Sequence, residues 1–140
     1  MADDLVWSLE VVVVPVSDLE RAKAFYSEQL GFAVDHDTTI DEDRRVIQLT
    51  PPGSSCSVVI GTGVVPDMEP GTVKGLQLVV ADLESAHRML TERGVHTSGI
   101  QVLGENPSDT AHPLDNVGFV FFEDLDGNGW AVQQISDRAG

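Results

Sequence analysis

Hydrophobic and polar residues follow two patterns along this chain, and both patterns occur twice. Residues 8–16 and 74–80 are rich in β-branched side chains and predict strands. Apolar residues at helical spacing follow each strand and predict an amphipathic helix. The apolar face of the first helix carries Leu19, Ala22, Phe25, Tyr26 and Leu30, and that of the second carries Leu83, Ala86, Met89 and Leu90.

Three shorter strand patterns follow each predicted helix. They cover residues 32–37, 44–50 and 57–60 in the first half and 95–102, 117–123 and 130–135 in the second. Ser17 and Glu20 have capping-box spacing, which predicts a helix that starts at Asp18, and Asp82 is the expected cap of the second helix. The order β-α-β-β-β therefore occurs twice.

A short repeat marks the start of both helices. The sequence VSDLERA at 16–22 returns as VADLESA at 80–86, 64 residues later. At 140 residues the chain has room for one domain that buries roughly two thirds of its surface. We therefore expect a single domain over residues 1–140, with a first module at about 8–62, a connector at 63–73 and a second module at about 74–136.

Composition and charge exclude several classes of partner. Twenty-three acidic residues against eight basic ones give a formal charge of −15, which repels nucleic-acid backbones and anionic lipid. No apolar run is long enough to cross a bilayer, and the N-terminal residues are acidic, unlike a signal peptide. These features predict a cytoplasmic protein without nucleic-acid or membrane partners. Cys56 is the only cysteine, so neither an intrachain disulfide nor a cysteine zinc site can form.

The long polar stretch 103–116 is a candidate lid, because loops of this length in a small domain are usually functional or mobile. His112 lies in it, near Asp109 and Asp115, and is the candidate catalytic residue among the four histidines. For His112 itself an ordinary loop position is the alternative. Solvated positions on a helix or strand are the expectation for His36, His87 and His96.

The repeated unit is similar to the vicinal oxygen chelate superfamily, which includes glyoxalase I, extradiol dioxygenases, fosfomycin-resistance enzymes and bleomycin-resistance binding proteins. The resemblance covers residues 8–136 and rests on the tandem β-α-β-β-β order, the V-x-D-L-E-x-A sequences, and the motifs Phe25-Tyr26, Leu30-Gly31-Phe32 and Asp126-Gly127-Asn128. It implies an α+β fold in which the tandem modules form a curved, eight-stranded mixed sheet, a cup, with helices on the outer face. It also implies a homodimer.

Metal-dependent members of this superfamily take ligands from the first and last strands of each module. The resemblance places those positions at Val11, Gly75 and Ala131, and within residues 54–65, which contain no His, Asp, Glu or Gln. Hard and borderline metal ions need imidazole or carboxylate ligands. The sequence therefore predicts no metal and no other cofactor, unless the true ligands lie elsewhere.

Strand alternation, started from the family position of Ala131, identifies the side chains that face the cup. Trp130 and Val132 then point to the helices. The predicted ligand-binding residues are Val11, Val13, Gln48, Gln77, Phe119, Phe121, Ala131 and Gln133. An aliphatic and aromatic pocket with two convergent amides suits an uncharged or aromatic organic ligand. For Gln77 and Gln133, an exposed strand position is the alternative.

Three hypotheses for function follow. The first is metal-independent binding of a small, largely apolar or aromatic molecule, as in bleomycin-resistance proteins, for sequestration or self-protection. The second is a metal-free isomerase, lyase or hydrolase that uses His112 with Asp115 or Glu123 as acid and base. The third is a glyoxalase or dioxygenase activity with metal ligands not recognised in the sequence.

Overall fold

The first module folds in the order that its sequence pattern predicts, but its first strand is shorter and its first helix starts one residue later. The structure is a computed structural model that describes residues 5–105 and 112–137. The first module contains β1 (Val11–Val13), α1 (Leu19–Ala24), a π-helical segment (Phe25–Gln29), β2 (Ala33–Thr39), β3 (Arg45–Thr50) and β4 (Ser57–Thr62).

The second module repeats this order. It contains β5 (Leu76–Val80), α2 (Leu83–Glu92), β6 (Thr97–Val102), β7 (Gly118–Glu123) and β8 (Gly129–Gln134). Asp82 caps α2, since its carboxylate accepts a hydrogen bond from the Ser85 amide. The α+β class and the tandem β-α-β-β-β order are confirmed. Residues 106–111 of the predicted lid lie outside the described residues.

The predicted first strand and first helix cap both shift. β1 is three residues long instead of nine, because its neighbour β4 begins only at Ser57, whose amide bonds the Glu10 carbonyl at 2.9 Å. The cap of α1 is Asp18, which accepts from the Arg21 amide, and not Ser17. The Ser17 hydroxyl instead donates to Asp126 Oδ1 at 2.6 Å.

The eight strands form two four-stranded mixed sheets. Their strand orders are β1-β4-β3-β2 and β5-β8-β7-β6, with β1/β4 and β5/β8 parallel and the other neighbours antiparallel. Within the described ranges, no strand of the first sheet pairs with a strand of the second. The modules are therefore joined through side-chain packing and loop contacts.

Both sheets pack their helix-facing sides on one hydrophobic core. The core combines Ile47, Leu49, Val58 and Ile60 of the first sheet, Val120, Phe122, Trp130 and Val132 of the second, and the buried faces of both helices. Phe25, in the π-helical segment, lies 6.4 Å from Phe122, and Tyr26 lies 5.8 Å from Trp130, measured between ring centroids. The prediction that Trp130 and Val132 face the helix layer agrees with this packing.

Polar contacts of the last hairpin also tie it to the first module. Asn128 is wholly buried, and its Nδ2 donates to the Pro15 carbonyl and to Asp124 Oδ2, both at 2.8 Å. The neighbouring connector approaches this turn closely, since a Cβ on Gly71 would lie 2.1 Å from the Asp126 carbonyl oxygen. No helix in the described part of the chain is long and apolar enough to span a membrane.

Candidate functional site

The side of each sheet that faces away from the shared core is the predicted cup wall. In the second sheet, strand pairing aligns Gln77 with Ala131 and Ala131 with Phe121. The next row aligns Gln133 with Phe119. Directly paired residues share a face of the sheet. The structure thus brings together five of the eight predicted binding residues on one wall.

Two parallel aromatic rings form the most distinctive surface of this wall. Phe119 and Phe121 are two residues apart on β7, so both point to the same side. Their ring centroids lie 5.9 Å apart with an interplanar angle of 6°. Phe121 is 36% exposed although it is a large apolar side chain. An exposed apolar surface of this kind is typical of a binding site.

The two glutamines next to these rings are hydrogen-bonded to each other. Gln77 Nε2 donates to Gln133 Oε1 at 2.6 Å, and Gln133 Nε2 donates to the Asn116 carbonyl at 2.8 Å. The amides thus converge as predicted, and Gln77 remains exposed. These two hydrogen bonds fix the orientation of both amides. The carbonyl oxygen of Gln77 and its second N–H take no part in them.

The corresponding wall of the first sheet is aliphatic with one polar pair. Val13 pairs with Val59, and Val59 pairs with Gln48. His36 follows in the same row, with its Nε2 3.1 Å from Gln48 Oε1. Val11 lies opposite Ser57, at the end of this wall. The three predicted residues of the first module are therefore on one face.

A cavity of about 820 Å³ opens at the end of the second sheet where β7 meets β8. It reaches Phe121 and Ala131 on the cup wall and continues to Phe25 and Trp130 at the helix layer. Its volume lies within the range that holds drug-sized ligands. The cavity thus borders the cup wall of the second sheet at Phe121 and Ala131, and its lining does not include Gln77, Phe119 or Gln133.

His112 lies apart from this wall. Its Nε2 is 3.7 Å from Glu84 Oε1 in the first turn of α2, and its Nδ1 accepts from the Leu114 amide at 3.0 Å. Glu123 is the last residue of β7 and pairs with Lys74 at 3.5 Å, whereas His112 contacts Glu84 on α2. The structure does not bring His112 and Glu123 together.

Asp115, the other suggested partner of His112, is buried. Its Oδ1 accepts from Gln134 Nε2 at 3.0 Å, and its Oδ2 accepts from the Ser136 hydroxyl at 2.6 Å. Gln134 in turn accepts from the Leu83 amide at the start of α2. These contacts fix the loop to α2, and the catalytic role of His112 stays a prediction.

The residues at the family's metal positions do not fit a metal ion. Val11, Gly75 and Ala131 offer no donor side chain, and the β4 residue that lies in the cup row is Val59. Across residues 5–105 and 112–137, no group of three His, Cys, Asp or Glu side chains could hold a metal. No reaction step through a metal ion follows from this donor set.

Besides Val59, sequence reasoning missed Ser98, Gln101 and His36 on the cup walls. Gln101 pairs with Phe119, and Ser98 accepts a hydrogen bond from the Phe121 amide at 3.0 Å, both from the edge strand β6. His36 was expected to be a solvated strand residue, and it bonds Gln48. Bulges in the β2/β3 and β6/β7 pairings shift the register. Counting alternate residues along one strand therefore does not show which of these side chains face the cup.

Comparison with known proteins places this geometry in a family. The sequence profile of the Glyoxalase/Bleomycin resistance protein/Dioxygenase superfamily matches residues 8–132. An uncharacterized protein of Bacillus subtilis (strain 168), YetH, is 24% identical over 132 residues, which cover 93% of this chain and 100% of that protein.

Solved structures show the same fold over nearly the whole chain. TnmS3, an antibiotic binding protein from Streptomyces sp. CB03234, is 32% identical with a TM-score of 0.71, and the match covers 94% of this chain and 98% of TnmS3. A glyoxalase/bleomycin resistance protein from the same organism is 34% identical with a TM-score of 0.68 over 91% and 100% of the two chains. A superfamily member from Sphaerobacter thermophilus DSM 20745 is 27% identical with a TM-score of 0.72, over 92% and 98%.

Proposed function

Because this chain belongs to the Glyoxalase/Bleomycin resistance protein/Dioxygenase superfamily, we propose that it binds a small, largely apolar or aromatic organic molecule in its cup without a metal ion. The biological role of this binding is sequestration or self-protection. The similarity to the antibiotic binding protein TnmS3 supports it. The observation that carries the proposal is the parallel pair of the partly buried Phe119 and the exposed Phe121, beside the bonded amides Gln77 and Gln133.

The chemistry of this wall favours a flat, fused-ring ligand. Parallel rings offer their faces and edges to an aromatic guest, and each such contact contributes about 0.5–1.5 kcal/mol beyond the area that it buries. The Gln77–Gln133 pair already satisfies part of its hydrogen-bonding capacity, so apolar surface can cover it at low cost. A ligand carbonyl or hydroxyl within reach of Gln77 would be oriented by the remaining amide groups.

The active form that we propose is a homodimer in which each cup combines walls from two chains. The helix-facing sides of both sheets pack on one core, so the two cup walls of a chain both face away from that core. Strand β1, which carries Val13, and strand β5, which carries Gln77, are edge strands of their sheets. Within the described residues, neither pairs with a strand of the other sheet. An edge strand presents free backbone groups for pairing with a second chain. The cup wall of the first sheet in one protomer then faces the cup wall of the second sheet in its partner.

Titration calorimetry tests the proposal directly. We expect saturable binding of fused-ring aromatic compounds, with phenazine as the first probe, at one ligand per chain. The perhydro counterpart of phenazine, which is not flat, should bind more weakly. Stoichiometric, tight binding of nickel, zinc, manganese or iron together with no binding of the aromatic compounds would overturn the proposal.

A further inference from the structure

A second cavity lies on the helix side of the molecule, between the two modules. Its volume is about 320 Å³, and residues of both modules line it. We propose that it is a ligand site distinct from the cup and that it takes a carboxylic acid with an apolar body, such as a medium-chain fatty acid.

The inner surface of this cavity is apolar. Leu30 and Phe32 of the first module and Leu90, Phe122 and Val132 of the second line it, and all five are buried in the shared core. A wall of this kind excludes water and favours a hydrocarbon chain or ring. The volume is at the lower end of the range for small-molecule sites, which favours a single chain or a bicyclic ring.

Two small residues, Gly31 and Ala86, are among those that line the cavity. Gly31 has φ +80°, a conformation that favours glycine, and follows the first helical segment. Ala86 lines the cavity from α2 with only a methyl group. Gly31 therefore leaves room for the Arg93 guanidinium, and Ala86 leaves its edge of the cavity open.

One charged side chain, Arg93, lies among the lining residues. Arg93 caps the end of α2, and its carbonyl is held by Gln29 Nε2 at 3.0 Å. Its guanidinium lies over Gly31, since a Cβ on Gly31 would be 2.9 Å from Arg93 Nη1. Among the residues that the structure describes, Arg93 forms no ion pair.

These features define the ligand class. A guanidinium fork binds a carboxylate through two parallel hydrogen bonds. With Arg93 at the rim and apolar side chains beneath it, a molecule with an acid group at one end and a hydrocarbon body matches both parts of the site.

Most of this site lies on the opposite side of the second sheet from the cup wall, and only Val79, which pairs with Gln133, belongs to a cup row. Phe122 and Val132 point to the helix side, whereas their neighbours Phe121 and Ala131 point to the cup wall. The inference therefore does not depend on the proposed function, and the two can fail separately.

Calorimetric titration of the full chain with hexanoate, octanoate and decanoate tests the inference. We expect affinity to rise about fourfold for each added methylene until the cavity is full. Arg93→Gln should weaken octanoate binding about tenfold or more and leave the binding of octanol unchanged. Arg88→Gln is the matched control, because Arg88 lies on the same helix, is exposed and does not line the cavity.

Ala86→Phe fills the cavity from its edge and should abolish binding of both octanoate and octanol. Phe121→Ala, in the cup, should leave both affinities unchanged, and circular dichroism checks that each variant is folded. Octanoate binding that is absent in the unmodified protein, or that responds to Phe121→Ala and not to Ala86→Phe, overturns the inference.

Discussion

The Tyr26 hydroxyl donates a 2.6 Å hydrogen bond to Asp124 Oδ2, although the two residues are 98 positions apart in the sequence. Trp130 Nε1 donates to the same hydroxyl oxygen at 3.0 Å. Tyr26 is wholly buried, and this burial, followed by the bond to Asp124, raises the pKa of Tyr26 well above its usual range. The contact joins the first helical segment to the last hairpin through a group that stays uncharged.

Tyr26→Phe should lower the free energy of unfolding by about 1–3 kcal/mol, because Asp124 loses a donor and Trp130 loses its acceptor in a buried setting. Urea unfolding measures this. The chain has two tryptophans, so in a Trp7→Phe background the tryptophan fluorescence comes from Trp130 alone. Combining Tyr26→Phe with Asp124→Asn completes a double-mutant cycle, and a coupling energy near zero would contradict a direct bond.

Stability should also fall at alkaline pH because of Tyr26. Its pKa is raised in the folded state, so the stabilisation is fully present below the unfolded value of about 10 and is lost as the pH rises above it. Tyr26 is the only tyrosine, so phenolate absorbance reports on this group alone. We expect phenolate to form only together with unfolding, as circular dichroism would show. Free titration of the folded protein near pH 10 would rule out the buried bond.

The ion pairs of Asp37 should contribute to folding stability, and this contribution should be lost in acid. The Arg45 guanidinium first, and then the Lys23 ammonium, hold the pKa of Asp37 well below its usual range. Arg45 Nη2 and Lys23 Nζ lie 2.7 Å and 2.8 Å from Asp37 Oδ2. Asp37→Asn should cost about 1 kcal/mol at pH 7 in low salt, since solvent screens these half-exposed groups.

The difference between the unmodified protein and Asp37→Asn should depend on pH. A lowered carboxyl pKa stabilises above the unfolded value of about 3.9, and this contribution is lost as the pH falls below that value. Thermal unfolding at pH 7, 5 and 3 measures the change. Asp41→Asn, which breaks the exposed pair with Arg44, is the control and should have a smaller effect at every pH. Equal effects of the two variants would argue against a special role for Asp37.

Phe121→Ala tests the aromatic wall of the cup. Loss of one of the two parallel rings should weaken the binding of a fused-ring aromatic ligand about tenfold. Met68→Ala removes an exposed apolar side chain of the connector and should leave affinity unchanged. Calorimetry measures both. If the two variants bind alike, Phe121 does not contact the ligand.

A mixture of two blocked variants tests whether a cup combines two chains. Gln48→Trp obstructs the wall of the first sheet, and Gln77→Trp obstructs that of the second. Each variant alone should bind no ligand. After mixing, dissociation and reassociation in equal amounts, a cup shared between chains restores about a quarter of the sites, because each mixed dimer has one intact pair of walls. A cup built within one chain would restore none, and sedimentation confirms the dimer.

Local chemistry made much of this fold predictable from the sequence. Asp82 caps its helix because a short carboxylate at that position satisfies a free amide, and this needs no tertiary information. Period-two alternation placed Trp130 in the core and Gln133 on the opposite wall. These features depend on neighbours along the chain.

The features that the sequence did not predict depend on distant contacts. The π-helical segment at Phe25–Gln29 places Phe25 and Tyr26 against the second module, and no pattern within the helix indicates that partner. Ser17 was expected to act as a cap, but Asp126, more than a hundred residues away, takes its hydroxyl. The separation of the strands into two sheets follows from the same long-range packing.

The shared core has a consequence for how this duplicated chain folds. Tyr26 of the first module packs on Trp130 of the second, and both residues belong to the one hydrophobic core that the two halves share. A break in the connector at 63–73 would not release two independent domains, and the fragments would have to find each other before either became ordered. Because the two copies of the pattern share this core, we expect a single cooperative unfolding transition for the whole chain.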